Sequence, residues 1–204
     1  MKSRTSDSPS QSLFRSANCD ARYGAALAAI LALILALAAL GSGARNALQY
    51  QRSAVAHGQW WRLIGAHLVH LGWEHALLNG AGLALLWVLF AREFTPRRWL
   101  WILCCSMLAI DAGLWFLRPT VDWYLGASGV LHGALAAGAC ALYRRGDGVG
   151  AALMLALIVK LVYEQQSGKS LLMGDLPLLA DAHLFGVLGG LIGAFVPRPS
   201  AKPV

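Results

Sequence analysis

Six apolar stretches govern what this chain can fold into: residues 23–40, about 63–90, 99–117, about 125–143, 149–164 and 178–196. Crossing the ~30 Å hydrocarbon layer of a bilayer takes roughly 20 apolar residues in a helix. A helix satisfies its own backbone polar groups where no water can. The first stretch has nearly that length and further spans follow, so it is expected to be a retained helix and not a cleaved leader. The composition agrees: 57% hydrophobic and 13% charged residues, with a mean hydropathy of +0.55, would not keep a water-soluble domain of this size dispersed. The expected fold class is therefore an all-α integral membrane protein, a six-transmembrane-helix bundle over residues 23–196. A polar N-terminal tail, 1–22, precedes it, and a short tail, 197–204, follows. Pro197, Pro199 and Pro203 stop the last helix from continuing. No internal repeat or second domain is read.

The net charge of +7 and pI near 9.6 would suggest nucleic acid in a soluble protein. Here the cations lie in the connections between spans. Six spans put both termini on one side, which receives Lys2, Arg4, Arg15, Arg22, Arg92, Arg97, Arg98, Arg144, Arg145, Arg198 and Lys202. The other side receives Arg45, Arg52, Arg62, Arg118 and Lys169. Eleven against five assigns the first group to the cytoplasm and excludes a nucleic-acid partner as the reason for the charge. The 22 glycines fit close helix approach and the 8 tryptophans fit the membrane boundary. The 41–62 connection, ending in Trp60, Trp61 and Arg62, is long enough for interfacial structure. Cys19, Cys104, Cys105 and Cys140 show no ligand-like spacing and imply neither disulfides nor a metal or other cofactor.

Ionisable and polar groups inside a membrane need a reason to be there. The stretch Gly126-Ala127-Ser128-Gly129-Val130-Leu131-His132-Gly133 places a hydroxyl near the outer mouth of the fourth span. Alone, such a serine is a packing residue or a nucleophile. His75 and Asn79, four apart, share a helix face on the second span with His70 before them. They either satisfy each other or donate, with the Ser128 N–H, to a developing oxyanion. His183 enters from the same face on the sixth span. Gly129, Gly133 and Ala137 form a small-residue ridge on the fourth span, matched by Gly186 and Gly190 on the sixth. Two such ridges let the backbones approach and bring His183 within reach of the Ser128 proton. His132, one turn deeper than Ser128, is the alternative base and the less well placed. Lys160 and Glu164 are expected to neutralise each other or snorkel outward. Asp111 has no assigned role, and Asp181 either orients a histidine or caps its helix.

Taken together, Trp61-Arg62, His70, His75, Asn79, Gly126-Ala127-Ser128-Gly129 and Ala182-His183-Leu184-Phe185-Gly186 resemble the rhomboid intramembrane serine proteases, in the family's order and over most of the chain. The resemblance implies Ser128 as nucleophile, His183 as general base in a Ser-His dyad, and His75 and Asn79 as oxyanion donors. His70, His132, Gly126 and Gly129 are then supporting residues. Many rhomboids carry tyrosine four residues after the serine, stacked on the catalytic histidine, where this chain has His132. With the six-span form and Asp181 before Ala182-His183, that departure is similar to the rhombosortase branch. The branch implies membrane-anchored protein substrates with a C-terminal Gly-Gly, helix and basic tail, and a bacterial cytoplasmic (inner) membrane location with the site toward the outer face.

Two other classes compete. A metal-binding membrane protein would use His67, His70, His75 and His183, but the His-Glu-x-x-His spacing of metalloproteases is absent. An inactive scaffold would be expected to lack Ser128 or His183, and both are present.

Overall fold

The structure, a computed structural model, describes residues 21–169 and 179–195. The two expected terminal tails lie almost entirely outside these residues. The elements in order are α1 (Ala21–Ala39), α2 (Gly41–Leu48), β1 (Tyr50–Gln51), α3 (Arg52–Ala56), α4 (Trp61–Gly65), α5 (Trp73–Phe90), α6 (Pro96–Ala112), a π-helical turn (Gly113–Leu117), β2 (Trp123–Tyr124), α7 (Ser128–Arg144), α8 (Gly148–Ser167) and α9 (Ala180–Phe195).

Local sequence sets the helix ends. Thr95 caps α6 by accepting the Arg98 N–H at 3.4 Å, with Pro96 at the first helical position, where no N–H is needed. Asp147 caps α8 through the Val149 N–H at 2.9 Å, and Gly168, at φ 65°, ends it in the left-handed conformation.

All six expected helices are present as α1, α5, α6, α7, α8 and α9. Three helical segments, Trp73–Phe90, Pro96–Leu117 and Gly148–Ser167, are long and apolar enough to cross a membrane alone, and α1 with α2 qualifies as a pair bent by 109°. The second span differs from expectation: its helix begins at Trp73, not near residue 63. The short α4 and a non-helical stretch through Gly72 precede it, so His67 and His70 are not on the spanning helix. The 17 residues of α7 reach about 26 Å, short of a full bilayer core. That length suits a helix enclosed by its neighbours, and nine of its residues are buried.

α9 packs chiefly against α7 and α6, α8 against α7, and α1 against α5. The α7–α9 crossing is a backbone contact. A Cβ at Gly186 would fall on the Gly129 carbonyl, one at Gly190 on the Gly133 carbonyl, and one at Gly129 would come 2.7 Å from the Ala182 oxygen. The small-residue ridges read in the sequence are therefore the contact surface itself. Leu100, Leu108, Leu155, Val159 and Ile192 point outward and form the apolar exterior that lipid would cover.

The helix ends sort into two groups. At one end Arg98 Nη2 donates to the Ala194 carbonyl (2.9 Å), Arg145 pairs with Glu93 (2.7 Å) and Tyr23 donates to the Phe94 carbonyl (3.1 Å). At the other lie Ser128, the starts of α5 and α9, and a two-residue antiparallel ladder pairing Tyr50 with Tyr124 and Gln51 with Trp123. Arg52 extends that ladder through its N–H to Asp122 O at 2.8 Å. Its guanidinium donates to the Leu114 and Trp115 carbonyls at 3.1 and 2.7 Å, groups that the end of a helix leaves without partners. Arg62, buried, donates to Asn46 O, Gln49 O and Gln59 Oε1 at 2.7–2.9 Å and folds the 41–62 connection onto itself.

Because α7 and α9 meet through backbone, a side chain there must separate the helices. Gly186→Val should lower the melting temperature of the detergent-solubilised protein, by the ~1–3 kcal/mol or more that overpacking costs. Gly24→Ala, where a Cβ meets nothing within 4 Å, should leave it unchanged or slightly raised. Equal melting temperatures for Gly186→Val and the parent would show that the crossing is loose.

Candidate active site

Ser128 is the first residue of α7, so its N–H has no partner within the helix and points from the positive end of the helix dipole. The turn that delivers it depends on Gly126, at φ 114°, whose N–H donates to Ala66 O (2.8 Å) and whose carbonyl accepts from Tyr124 OH (2.9 Å). A Cβ at Gly126 would also lie 2.9 Å from the His75 imidazole, so glycine is required by conformation and by space.

The α7–α9 contact sets His183, the fourth residue of α9, against this serine. His183 Nε2 lies 2.9 Å from Ser128 Oγ, and Nδ1 lies 2.7 Å from Glu164 Oε2. The other Glu164 oxygen is bonded to Lys160 Nζ. Of the two expectations for this pair, mutual neutralisation is what the structure has: Glu164 is fully buried against Lys160 and does not turn outward. Lys160 uses only one carboxylate oxygen, and the second faces the histidine. The sequence signal was present as an ionisable i,i+4 pair inside a span, but the pair accounted for itself and concealed its third member.

His132 lies flat on His183, with ring centroids 4.0 Å apart and planes 13° from parallel. Its Nδ1 is 2.7 Å from the Ser128 carbonyl, where it donates, and it makes no hydrogen bond to the hydroxyl. The intrahelical spacing that made it a candidate base thus carries it to the backbone one turn away.

His75 Nδ1 accepts a long hydrogen bond from the Leu71 N–H (3.5 Å), which places the ring proton on Nε2. That Nε2 is buried without a protein partner, and His75 lines a cavity of about 310 Å³ with Ser128 and His183. Val121, Tyr124, Leu125 and Leu179 complete most of its apolar wall. Asn79 is buried one turn below and gives one amide hydrogen to the His75 carbonyl at 2.9 Å, leaving the second. It does not line the cavity. His70 meets His75 edge to face at 4.9 Å.

The remaining acids lie elsewhere. Asp181 does not face His183; it makes a two-pronged pair with Arg118 at 2.6 and 2.8 Å, tying the start of α9 to the loop before β2. Asp111 lies 3.4 Å from His67 Nε2. His67 packs against Tyr124, and among the described residues His67, His70, His75 and His183 do not bring three possible ligand atoms together. Among the described residues, His132, Glu164 and His183 do bring three possible ligand atoms within 4.8 Å. Their geometry is wrong for a metal ion. With the two imidazoles stacked, an ion at ~2.0–2.1 Å from both nitrogens would leave the plane of at least one ring and miss its lone pair.

The arrangement has a hydroxyl bonded to an imidazole, two N–H donors beside it, and a cavity where a carbonyl could enter. These are the parts needed for acyl transfer.

A Bacillus subtilis (strain 168) protein described as "Putative rhomboid protease YdcA" is 28% identical over 142 residues, covering 70% of this chain and 69% of the relative. No solved structure matches the chain significantly. The family model described as Rhomboid domain matches residues 57–199, a span that takes in α4 through α9 and every residue of the site, and this chain belongs to the rhomboid family.

Proposed function

We propose that this chain is an intramembrane serine endopeptidase that cuts membrane-anchored proteins near the outer face of a bacterial cytoplasmic membrane. The observation that carries the reading is the 2.9 Å contact between His183 Nε2 and Ser128 Oγ at a helix N-terminus facing a cavity. Ser128 Oγ attacks the scissile carbonyl while its proton passes to His183 Nε2. The oxyanion is held by the Ser128 N–H and the His75 Nε2–H, with the free Asn79 N–H supporting from behind. As the C–N bond breaks, His183 returns the proton to the leaving amine, and water then releases the acyl group. His132 stands where many rhomboids carry a stacking tyrosine and holds the His183 ring from one face.

The finer reading is rhombosortase-like, with cleavage at or beside a C-terminal Gly-Gly ahead of a membrane helix and basic tail. A substrate helix in lipid has its amides bonded internally, so the bond to be cut is reachable only after the local turn opens into the cavity. Glycine lowers that barrier, since it disfavours helix by ~1 kcal/mol relative to alanine, and it presents no side chain to a compact cleft.

Fluorophosphonate labelling of the membrane-embedded protein is expected to be lost in Ser128→Ala and strongly slowed in His183→Ala, with cleavage abolished in both. Their combined effect should equal that of either alone, because the residues act as a unit. An unlabelled wild-type protein would instead favour the inactive scaffold, and loss of labelling only in His132→Ala would transfer the base to His132.

His75→Ala should lower kcat by ~10²–10³-fold with little change in KM, as for loss of one oxyanion donor. Asn79→Ala, one step removed from the cavity, should cost less. Wild-type turnover in folded His75→Ala would remove the imidazole from the oxyanion site.

A secreted reporter ending in Gly-Gly, an apolar helix and a basic tail should be released to the outer compartment in a Ser128-dependent way, and the same reporter with Leu-Leu retained. Equal release of both would sink the glycine preference; Ser128-dependent release into the cytoplasm would reverse the assigned orientation.

A further inference from the structure

The serine and histidine are not alone. Glu164, on α8, is wholly buried with both oxygens committed: Oε2 to His183 Nδ1 at 2.7 Å, Oε1 to Lys160 Nζ one turn earlier on the same helix. We propose that Glu164 is a positioning residue of the proteolytic reaction, making the site a Ser128–His183–Glu164 triad, and that Lys160 keeps its carboxyl ionised. The proposal rests on the serine endopeptidase reading above and extends it.

The chemistry follows from which nitrogen carries the proton. An ionised carboxylate can only accept, so it requires the His183 proton on Nδ1 and leaves the Nε2 lone pair facing the Ser128 hydroxyl. That is the tautomer a general base needs. When Ser128 Oγ bonds to the substrate carbonyl, its proton moves to Nε2 and the imidazole becomes a cation, with the carboxylate already in place to stabilise it. The proton later leaves from Nε2 to the departing amine, and Glu164 stays ionised throughout.

Lys160 is what permits a carboxylate at this depth. A lone buried carboxylate is strongly disfavoured and takes up a proton instead. A protonated Glu164 would donate to Nδ1, move the imidazole proton to Nε2, and set an N–H against the Ser128 hydroxyl. The base would then be blocked. Among the described residues, the titratable and charged groups around His183 are Glu164 and Lys160 from α8, His132 stacked on it from α7, and His75 across the cavity from α5. Neither His132 nor His75 offers His183 Nδ1 an acceptor in place of Glu164.

The test uses the full-length protein in lipid vesicles with a fluorogenic membrane-segment substrate, following kcat and KM across the pH range in which imidazole titrates. Glu164→Gln should lower kcat by ~10²–10⁴-fold, as loss of a triad carboxylate does, with KM little changed. The acid limb of its profile should move to lower pH, since the cation on His183 loses its partner. Lys160→Met should move the acid limb the opposite way, to higher pH, because Glu164 then keeps a proton longer; its rate should approach wild type on the alkaline side. Glu164→Asp should restore part of the rate.

A Glu164→Gln protein with wild-type melting temperature, kcat and profile would overturn the triad. Loss of rate with no movement of the acid limb in either variant would also overturn it, leaving a purely structural link between α8 and α9. Should Glu164→Gln fail to accumulate, the direction of the Lys160→Met limb decides. Ser128→Ala separates the two levels: cleavage surviving in it removes the serine mechanism itself, whereas an inactive Ser128→Ala beside a wild-type Glu164→Gln removes only the triad.

Discussion

The backbone contact between α7 and α9 is the constraint on which the rest depends. Membrane helices gain nothing by hiding apolar surface from lipid, so they associate through close packing and polar contacts. Gly129, Gly133, Gly186 and Gly190 supply the packing, each with space that a single Cβ would take from the facing carbonyl. The polar contact is the Ser128–His183 hydrogen bond one turn above. Neither works without the other in this arrangement: a wider crossing would separate the two side chains, and the glycine contact alone leaves the buried His183 Nε2 without a partner.

The same contact explains the distribution of polar groups. His183, Glu164, Lys160, His132 and Ser128 form a connected set drawn from α7, α8 and α9, and each makes at least one hydrogen bond within it. On the other side of the cavity, the His75 Nε2 and the ring nitrogens of His70 are buried without protein partners. Unpaired buried donors are costly in any protein and more so in a membrane. On the proposed mechanism, the His75 Nε2–H would meet its acceptor only when a substrate carbonyl becomes an oxyanion, and the cost of leaving it unpaired would then favour the transition state over the ground state.

What the sequence disclosed and what it hid follow from the range of the interactions. The six helices and the glycine ridges are carried by local periodicity, so they could be read directly; Ser128 and His183 stand out as rare polar residues in apolar runs, and their roles are what the family resemblance implies. The start of α5 could not: the apolar pattern continues back to Leu63, and only the turn at Leu71–Gly72, where the Leu71 carbonyl accepts from Arg45 of α2, delays the helix to Trp73, ten residues later. Two strands of two residues are too short to leave a pattern, and their pairing is set by Arg52 bridging to Asp122 and the π-helical turn. Asp181, two residues before His183, either orients a histidine or caps its helix on the sequence alone. Glu164, nineteen residues away, holds that place because side chains on adjacent helices meet across the interface, whereas Asp181 lies half a helical turn from His183 and reaches Arg118 instead.

His132 shows how one side chain can join two requirements. Its face supports the His183 ring, and its Nδ1–H is spent on the Ser128 carbonyl, so its own orientation is fixed from within α7. A ring held by its own helix transmits the position of α7 directly to the imidazole on α9. His183 is then located by three contacts from different directions: the serine ahead of Nε2, the carboxylate behind Nδ1, and the stacked ring on one face. Two in-plane hydrogen bonds leave rotation about the line through them as the free motion, and that is the motion a stacked ring opposes. An aromatic ring of any chemistry at this position could block it. What histidine adds is the bond to the Ser128 carbonyl, which anchors the stack to the backbone of the very residue whose hydroxyl the His183 imidazole meets.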